Sequence, residues 1–217
     1  MGFNRKNALI AAVCVLAIAG SAALIYYREF RAPKYNVELH QRVGEIMAEQ
    51  TAKVVGHAGR VVVLTIPTRG QPELQTQLEA FRRTLKKLGN YDLKERELDP
   101  KDQPKYGVGC GISGRRFVRA VKKEEKADAL VSFIGAPKLS DQELAELTKM
   151  PKFIAESRSM DALPKLFEKH LIEVAVVSRF VFPAPGTHEP TTPQEWFEKR
   201  YQVVTASAAT TMPQAEQ

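Results

Sequence analysis

A chain of 217 residues with a formal charge of +7 and two cysteines has room for one ordinary domain beside a short additional segment. The cysteines, at positions 14 and 110, are too few for the disulfide framework of a small secreted scaffold. Nor does the charge indicate nucleic acid. Arg5, Lys6, Arg28, Arg31 and Lys34 less Glu29 place +4 of it beside one apolar segment and leave +3 for residues 35–217, with no basic stripe of interleaved aromatics such as single-strand binders use.

Residues 1–7 are a basic N-terminus, and residues 8–27 read ALIAAVCVLAIAGSAALIYY, an uncharged apolar run. Twenty residues at a rise of about 1.5 Å cross a hydrocarbon core of roughly 30 Å. A secretory signal needs a shorter run and a small-residue cleavage site, which Ala17-Ile18-Ala19 or Ser21-Ala22-Ala23 would supply. The run continues past both through Leu24, Ile25, Tyr26 and Tyr27, and paired tyrosines suit the membrane–water interface. An uncleaved single-pass anchor, with membrane lipid as its partner, is therefore expected. Basic residues flank both ends almost equally, so the positive-inside rule decides little. The short basic start followed at once by the span resembles a signal anchor, which puts the remainder on the extracytoplasmic, periplasmic side. Val13 ahead of Cys14 argues against lipidation there.

Residues 28–59 read as a juxtamembrane linker and an amphipathic helix. Val37, Leu39, Val43, Ile46, Met47 and Val54 recur at near-helical spacing, and Gly56 and Gly59 end the run. Its apolar stripe is expected to pack on the following domain, a partner helix or the headgroup layer being the alternatives.

From residue 60 the pattern changes. RVVVLTIP (60–67) is a β-branched apolar run of the kind buried on both faces. Leu74, Leu78, Phe81, Leu85 and Leu88 then mark a helix closed by Gly89-Asn90. YDLKEREL (91–98) alternates apolar and charged residues, as an edge strand does. A Pro- and Gly-rich loop spans 99–114 and a basic helix 115–126. ALVSFIG (129–135) is a buried strand; Ser140 with Glu143 forms a capping box for a helix reaching Met150. KFIAES (152–157), a helix over 160–170 with Pro164 in its first turn, and IEVAVVSRFVF (172–182) complete the series. Residues 60–183 thus predict an α/β domain, a three-layer parallel five-stranded sheet of order 2-1-3-4-5, preceded by the transmembrane and amphipathic helices. Residues 184–205 read as a C-terminal extension, helical or extended around Trp196, and 206–217 as a disordered polar tail.

The segment KADALVSFIGAP, a capped helix and then MPKFIAES make residues 60–183 similar to one lobe of a type 1 periplasmic binding protein, the substrate-binding component family of transporters. The resemblance implies a flavodoxin-like fold and a binding function without catalysis. Such proteins close two lobes around a ligand, whereas residues 60–183 supply one. A protein partner or a second copy of the chain would then cover the open edge.

In a sheet of this order, ligands sit beyond the carboxyl ends of the strands, where the strand order reverses. Candidate ligand-binding residues there are Thr68, Arg69 and Gly70 after the first strand, Gly135 and Ala136 after the third, and Ser157 and Arg158 after the fourth. Two arginines and free amides suit a small anionic ligand; ordinary polar loop ends are the plain alternative. A second candidate, for an anion or nucleotide, is the loop Gly107–Gly114. It contains a formal G-x-G-x-x-G (Gly109, Gly111, Ser113 and Gly114 within it) and opens a helix carrying Arg115, Arg119 and Lys122 on one face. The fingerprint wants a strand directly ahead of it, and a Pro-containing loop stands there instead.

No catalytic constellation is expected. His40, His57, His170 and His188 lack metal-ligand spacing, and Ser113 lacks a nucleophile elbow. The third strand ends in Ile134-Gly135 rather than a phosphorylatable aspartate, and TIPTRGQ offers only Thr65 and Thr68 to a flavin phosphate. No cofactor, metal or nucleic acid is expected. The reading is a membrane-anchored, non-enzymatic binding or assembly module with a protein partner or as a homo-oligomer. An anion-binding enzyme or sensor using the Gly107–Gly114 loop, or a small-solute receptor subunit of a transporter, is the alternative.

Overall fold

The computed structural model describes residues 5–29, 35–98, 111–179 and 189–206. The chain divides into two units, one ending at Tyr35 and the other beginning at Asn36. The first holds α1 (Arg5–Glu29), with every side chain from Leu9 to Tyr26 exposed. Its length and apolarity are those of a membrane span, a property that secretory signals share.

The second unit opens with α2 (Val37–Val55), whose first turn is capped by the Asn36 side chain accepting from the Leu39 amide at 2.9 Å. Then come β1 (Ala58–Thr65), α3 (Pro72–Leu88), β2 (Asn90–Glu97), α4 (Gly114–Lys123), β3 (Ala129–Ser132), α5 (Asp141–Ala145), β4 (Lys152–Ser157), α6 (Leu163–Glu168), β5 (Val174–Ser178), α7 (Pro193–Arg200) and β6 (Tyr201–Thr205). They build a six-stranded sheet in the order β2-β1-β3-β4-β5-β6. The first five strands are parallel in the expected 2-1-3-4-5 order. The sixth, within the segment read as an extension, runs antiparallel to β5 from Ser178↔Tyr201 to Val174↔Thr205. It is five residues long and follows α7 without an intervening turn, so no break in the sequence pattern announces it.

β3 is buried along its length, and β1, β4 and β5 are buried except at Ala58–Arg60, Lys152 and Ser178, whereas β2 alternates exposed residues with half-buried Tyr91 and Leu93, as its edge position requires. Right-handed crossovers put α3 on one face and α4, α5 and α6 on the other. Phe81 of α3 meets Phe133 edge-on at 5.4 Å on the first face; Phe117 of α4 meets Phe153 at 4.9 Å on the second. The amphipathic helix α2 packs along α3 and over β3, β4 and β5, with α7 on its far side. Its stripe of Leu39, Val43, Ile46 and Met47 is thus part of the core. The two helices approach closely at Gly44, where a Cβ would lie 2.1 Å from the Gln77 carbonyl oxygen. Beneath β2, the almost buried Glu124 accepts from Lys94 Nζ at 2.7 Å and Arg96 at 2.9 Å, tying the edge strand to the end of α4.

Candidate functional site

The carboxyl ends of the five parallel strands form one edge of the sheet. The amino-terminal ends of α2 and α3, and the first residue of the antiparallel β6, lie at the same edge. The turn after β1, closed by the Gln71 amide on the Thr68 carbonyl at 2.8 Å, leaves Arg69 and Gly70 exposed and Thr68 half-buried. Arg158, after β4, is half-buried and lies 3.8 Å from Glu73 in the first turn of α3. Ser157 is buried, and its hydroxyl donates to the Ser159 carbonyl at 2.7 Å.

Gly135 and Ala136, expected to line an open crevice, are buried. The Gly111 amide donates to the Ile134 carbonyl at 2.9 Å, and Ser113 bridges Lys138 in parallel register. The backbone of residues 111–113 therefore lies across the end of β3. Only a glycine fits at 111, where a Cβ would stand 2.3 Å from the Ala136 oxygen.

Of the second candidate, Gly109 and the rest of 107–110 lie outside the described residues. At the start of α4, the Glu143 carboxylate occupies the place where an external anion was expected. It accepts from the Arg115 amide, and its oxygen stands 2.2 Å from where a Cβ on Gly114 would be. The same carboxylate accepts from the Ser140 amide at 2.9 Å and the Ser140 hydroxyl at 3.0 Å, closing the expected capping box. These donors, Ser140 first and Arg115 after it, hold Glu143 below the ordinary carboxylate range. One internal anion thus joins α5 to α4 and satisfies the helix start. Arg115 also lines a groove of about 160 Å³ with Val118, Ser140, Gln142, Glu143 and Glu146, while Arg119 is exposed on the helix.

The structure brings together a different set of polar residues. On the α2 side of the sheet, Glu156 near the end of β4 is 2% exposed. Burial pushes its carboxyl up to about 7, against the pull of Arg158. Among the described residues it has no hydrogen-bond or ion-pair partner. His40 in the first turns of α2 is buried, and the Gln77 amide nitrogen of α3 donates to its Nδ1 at 3.1 Å. Burial lowers the His40 pKa; Glu73 opposes the shift and Arg158 adds to it. Across β5, the Tyr201 phenol is raised by burial and then by the Glu156 charge, and its ring stacks on Phe197 of α7 at 5.6 Å. Arg158 thus acts on Glu156, His40 and Tyr201 alike.

Each of the missed residues carried a signal. Glu156 is a charge inside a strand otherwise buried on both faces, and such a residue is almost never fully buried without a reason. Gln77 sits in register with Leu74, Leu78 and Phe81, and His40 with Val43 and Met47, so both are polar interruptions of apolar stripes.

No protein-family model matches the sequence, and no curated protein matches it. Solved structures do. An ABC transporter solute-binding protein from Burkholderia graminis, in complex with D-arabinose, is similar over 81% of this chain and 62% of its own, at 16% identity and a TM-score of 0.55. AraP, an arabinose-binding protein from Geobacillus stearothermophilus, is similar over 79% of this chain and 62% of its own, at 14% identity and 0.52. A mutant XylFII–LytSN complex is similar over 78% and 68%, at 14% identity and 0.50. The chain spans less than two thirds of the length of the first two. At such identities the likeness is one of fold, and it agrees with the strand order and with the helices on both faces of the sheet. The second unit has the α/β fold of one lobe of a type 1 periplasmic binding protein.

Proposed function

We propose that this protein is a membrane-anchored, non-enzymatic binding or assembly module that presents a single binding-protein-like lobe on the extracytoplasmic side, its strand-end edge facing a protein partner. The observation that carries this reading is the pairing of a lobe fold with a span-like helix in one chain. The strand-end edge supports a protein rather than a small molecule. Residues 111–113 already cover Gly135 and Ala136, while Arg69, Arg158, Glu73, Lys138 and Asp161 remain at the rim. XylFII, similar in fold, forms a complex with LytSN, which is a precedent for a binding-protein fold engaging a protein.

The test is affinity purification of the full chain from detergent. A protein partner, or a defined oligomer, is expected, and it is expected to be lost in the double substitution Arg69→Glu, Arg158→Glu. A monodisperse monomer with no partner would overturn the proposal. A dimer of lobes around a small solute is the second reading, favoured by the D-arabinose bound to one fold neighbour. Stabilisation of the purified chain by pentoses would promote it. A reporter fused at the C-terminus fixes the membrane side.

A further inference from the structure

The buried polar cluster under α2 has no role in either reading above. Glu156 lies on the face that α2 covers, since Phe153, three residues before it in β4, meets Phe117 of α4 on the opposite face and strand residues alternate. A carboxyl that is 2% exposed ionises at a cost where it stands, because burial disfavours its charged form. Other charges do not settle the matter. From β4 comes Arg158, already facing Glu73 of α3 at 3.8 Å. From α2 comes His40, whose pKa burial lowers and whose Nδ1 faces the Gln77 amide. From β6 comes the Tyr201 phenol, on which Arg200 of α7 also acts. The flanking strands β3 and β5 contain no titratable residue. Among the described residues, the cover over Glu156 is therefore mainly apolar, with one arginine that is shared with another acid.

We propose that Glu156 and the first turns of α2 form a pH-sensitive latch, in which the protonated carboxyl lets α2 close over the end of β4 and ionisation loosens that packing. The direction follows from linkage. The folded carboxyl titrates at about 7 and the unfolded one at 4.5, so the folded state holds a proton that the unfolded state has released between those values. Stability from this group is complete below pH 4.5, declines up to about pH 7, and changes no further above it. His40 acts in the opposite sense: its folded pKa is depressed, so stability rises with pH as the unfolded histidine loses its proton. The two are separated by comparing variants that share His40.

The experiment is urea unfolding of the full chain in detergent at half-unit steps from pH 4.5 to 8.5, for wild type and Glu156→Gln. The wild-type unfolding constant should rise relative to that of the variant on the order of 100-fold between pH 4.5 and 7, and then level off. Hydrogen exchange at amides 39–43, corrected for intrinsic rate, should accelerate over the same interval in wild type and not in the variant. Parallel curves for the two proteins overturn the proposal, as does unchanged protection of residues 39–43. If Glu156→Gln does not fold, Glu156→Met removes the titration without adding a buried amide, and the same two readouts decide. None of this depends on the identity of a partner, so its failure would leave the binding reading standing.

Discussion

The contact between α2 and α3 is tight enough to be tested by one methyl group. In Gly44→Ala, the added Cβ would stand 2.1 Å from the Gln77 carbonyl oxygen, 2.9 Å from its carbon and 3.0 Å from the Ala80 Cβ, where ordinary contact begins near 3.4 Å. The obstacle is the α3 backbone at buried Gln77, so no side-chain rotation relieves it; the helices must separate by about 1 Å. Overpacking of this kind costs about 1–3 kcal/mol, and rigid backbone places it near the top of that range. Alanine returns about 1 kcal/mol over glycine in a helix interior. The net loss is about 2 kcal/mol, which for a domain of this size lowers the melting midpoint by about 4–8 °C. Circular dichroism melts of the full chain in detergent at fixed pH measure it. An unchanged or raised midpoint would refute the reasoning, because alanine would then be acting on a helix with free space at residue 44.

Three further outcomes are expected. Phe81→Ala empties a fully buried ring site beside Phe133 and should cost about 3–5 kcal/mol in urea unfolding. Glu143→Ala removes the carboxylate that caps α5 and meets the Arg115 amide, for a loss of about 1 kcal/mol at pH 7. Because the folded Glu143 pKa is depressed, this advantage of wild type exists above the unfolded carboxyl pKa and disappears as pH falls through the folded one, so melts at pH 7 and pH 3 check the sign. Millimolar phosphate or nucleotide should leave the wild-type midpoint unchanged, since the amides at the α4 start already hold an acid; a rise abolished by Arg115→Ala would restore the anion-sensor reading.

Much of the fold was legible because its signals are local. The mainly apolar runs of β1 and β3, the stripe of α3 and the Ser140–Glu143 box are local signals, and the charged alternation of β2 marks it as an edge. Two features escaped because their causes lie far away in sequence. Tyr201–Thr205 becomes a strand only because β5 offers it an unpaired edge. Gly135 and Ala136 are closed off only because residues 111–113 return across β3. The candidate site suffered most from this. Strand order says on which edge the strand ends gather, but which of them remain open depends on loop paths that no periodicity encodes. Likewise, the helix start at Gly114 reads as an anion site until the distant Glu143 is found in it.

What the open edge can bind is constrained by what it lacks. Among the described residues of the second unit, the large apolar side chains that are exposed are Val37 at 44% and Leu88 at 37%. Leu88, just ahead of β2, belongs to the opposite edge. Val37 opens α2 at the strand-end edge, and the charged groups of that rim are Arg69, the Lys138–Asp161 pair at 72% and 71%, and the half-buried Arg158–Glu73 pair at 42% and 44%. A surface of that kind suits a small, polar, exchanging interface rather than an obligate dimer, whose contact resembles a core cut in half. Screening then becomes the discriminating variable. Raising salt from 0.1 to 1 M shortens the Debye length from about 10 Å to about 3 Å, which weakens association driven by mixed-sign pairs and slows encounter. The partner retained in low salt should therefore be released by a 1 M sodium chloride wash, with detergent held constant. Retention at 1 M salt would mean that apolar area outside this rim holds the complex, and the strand-end edge would lose its claim as the docking face.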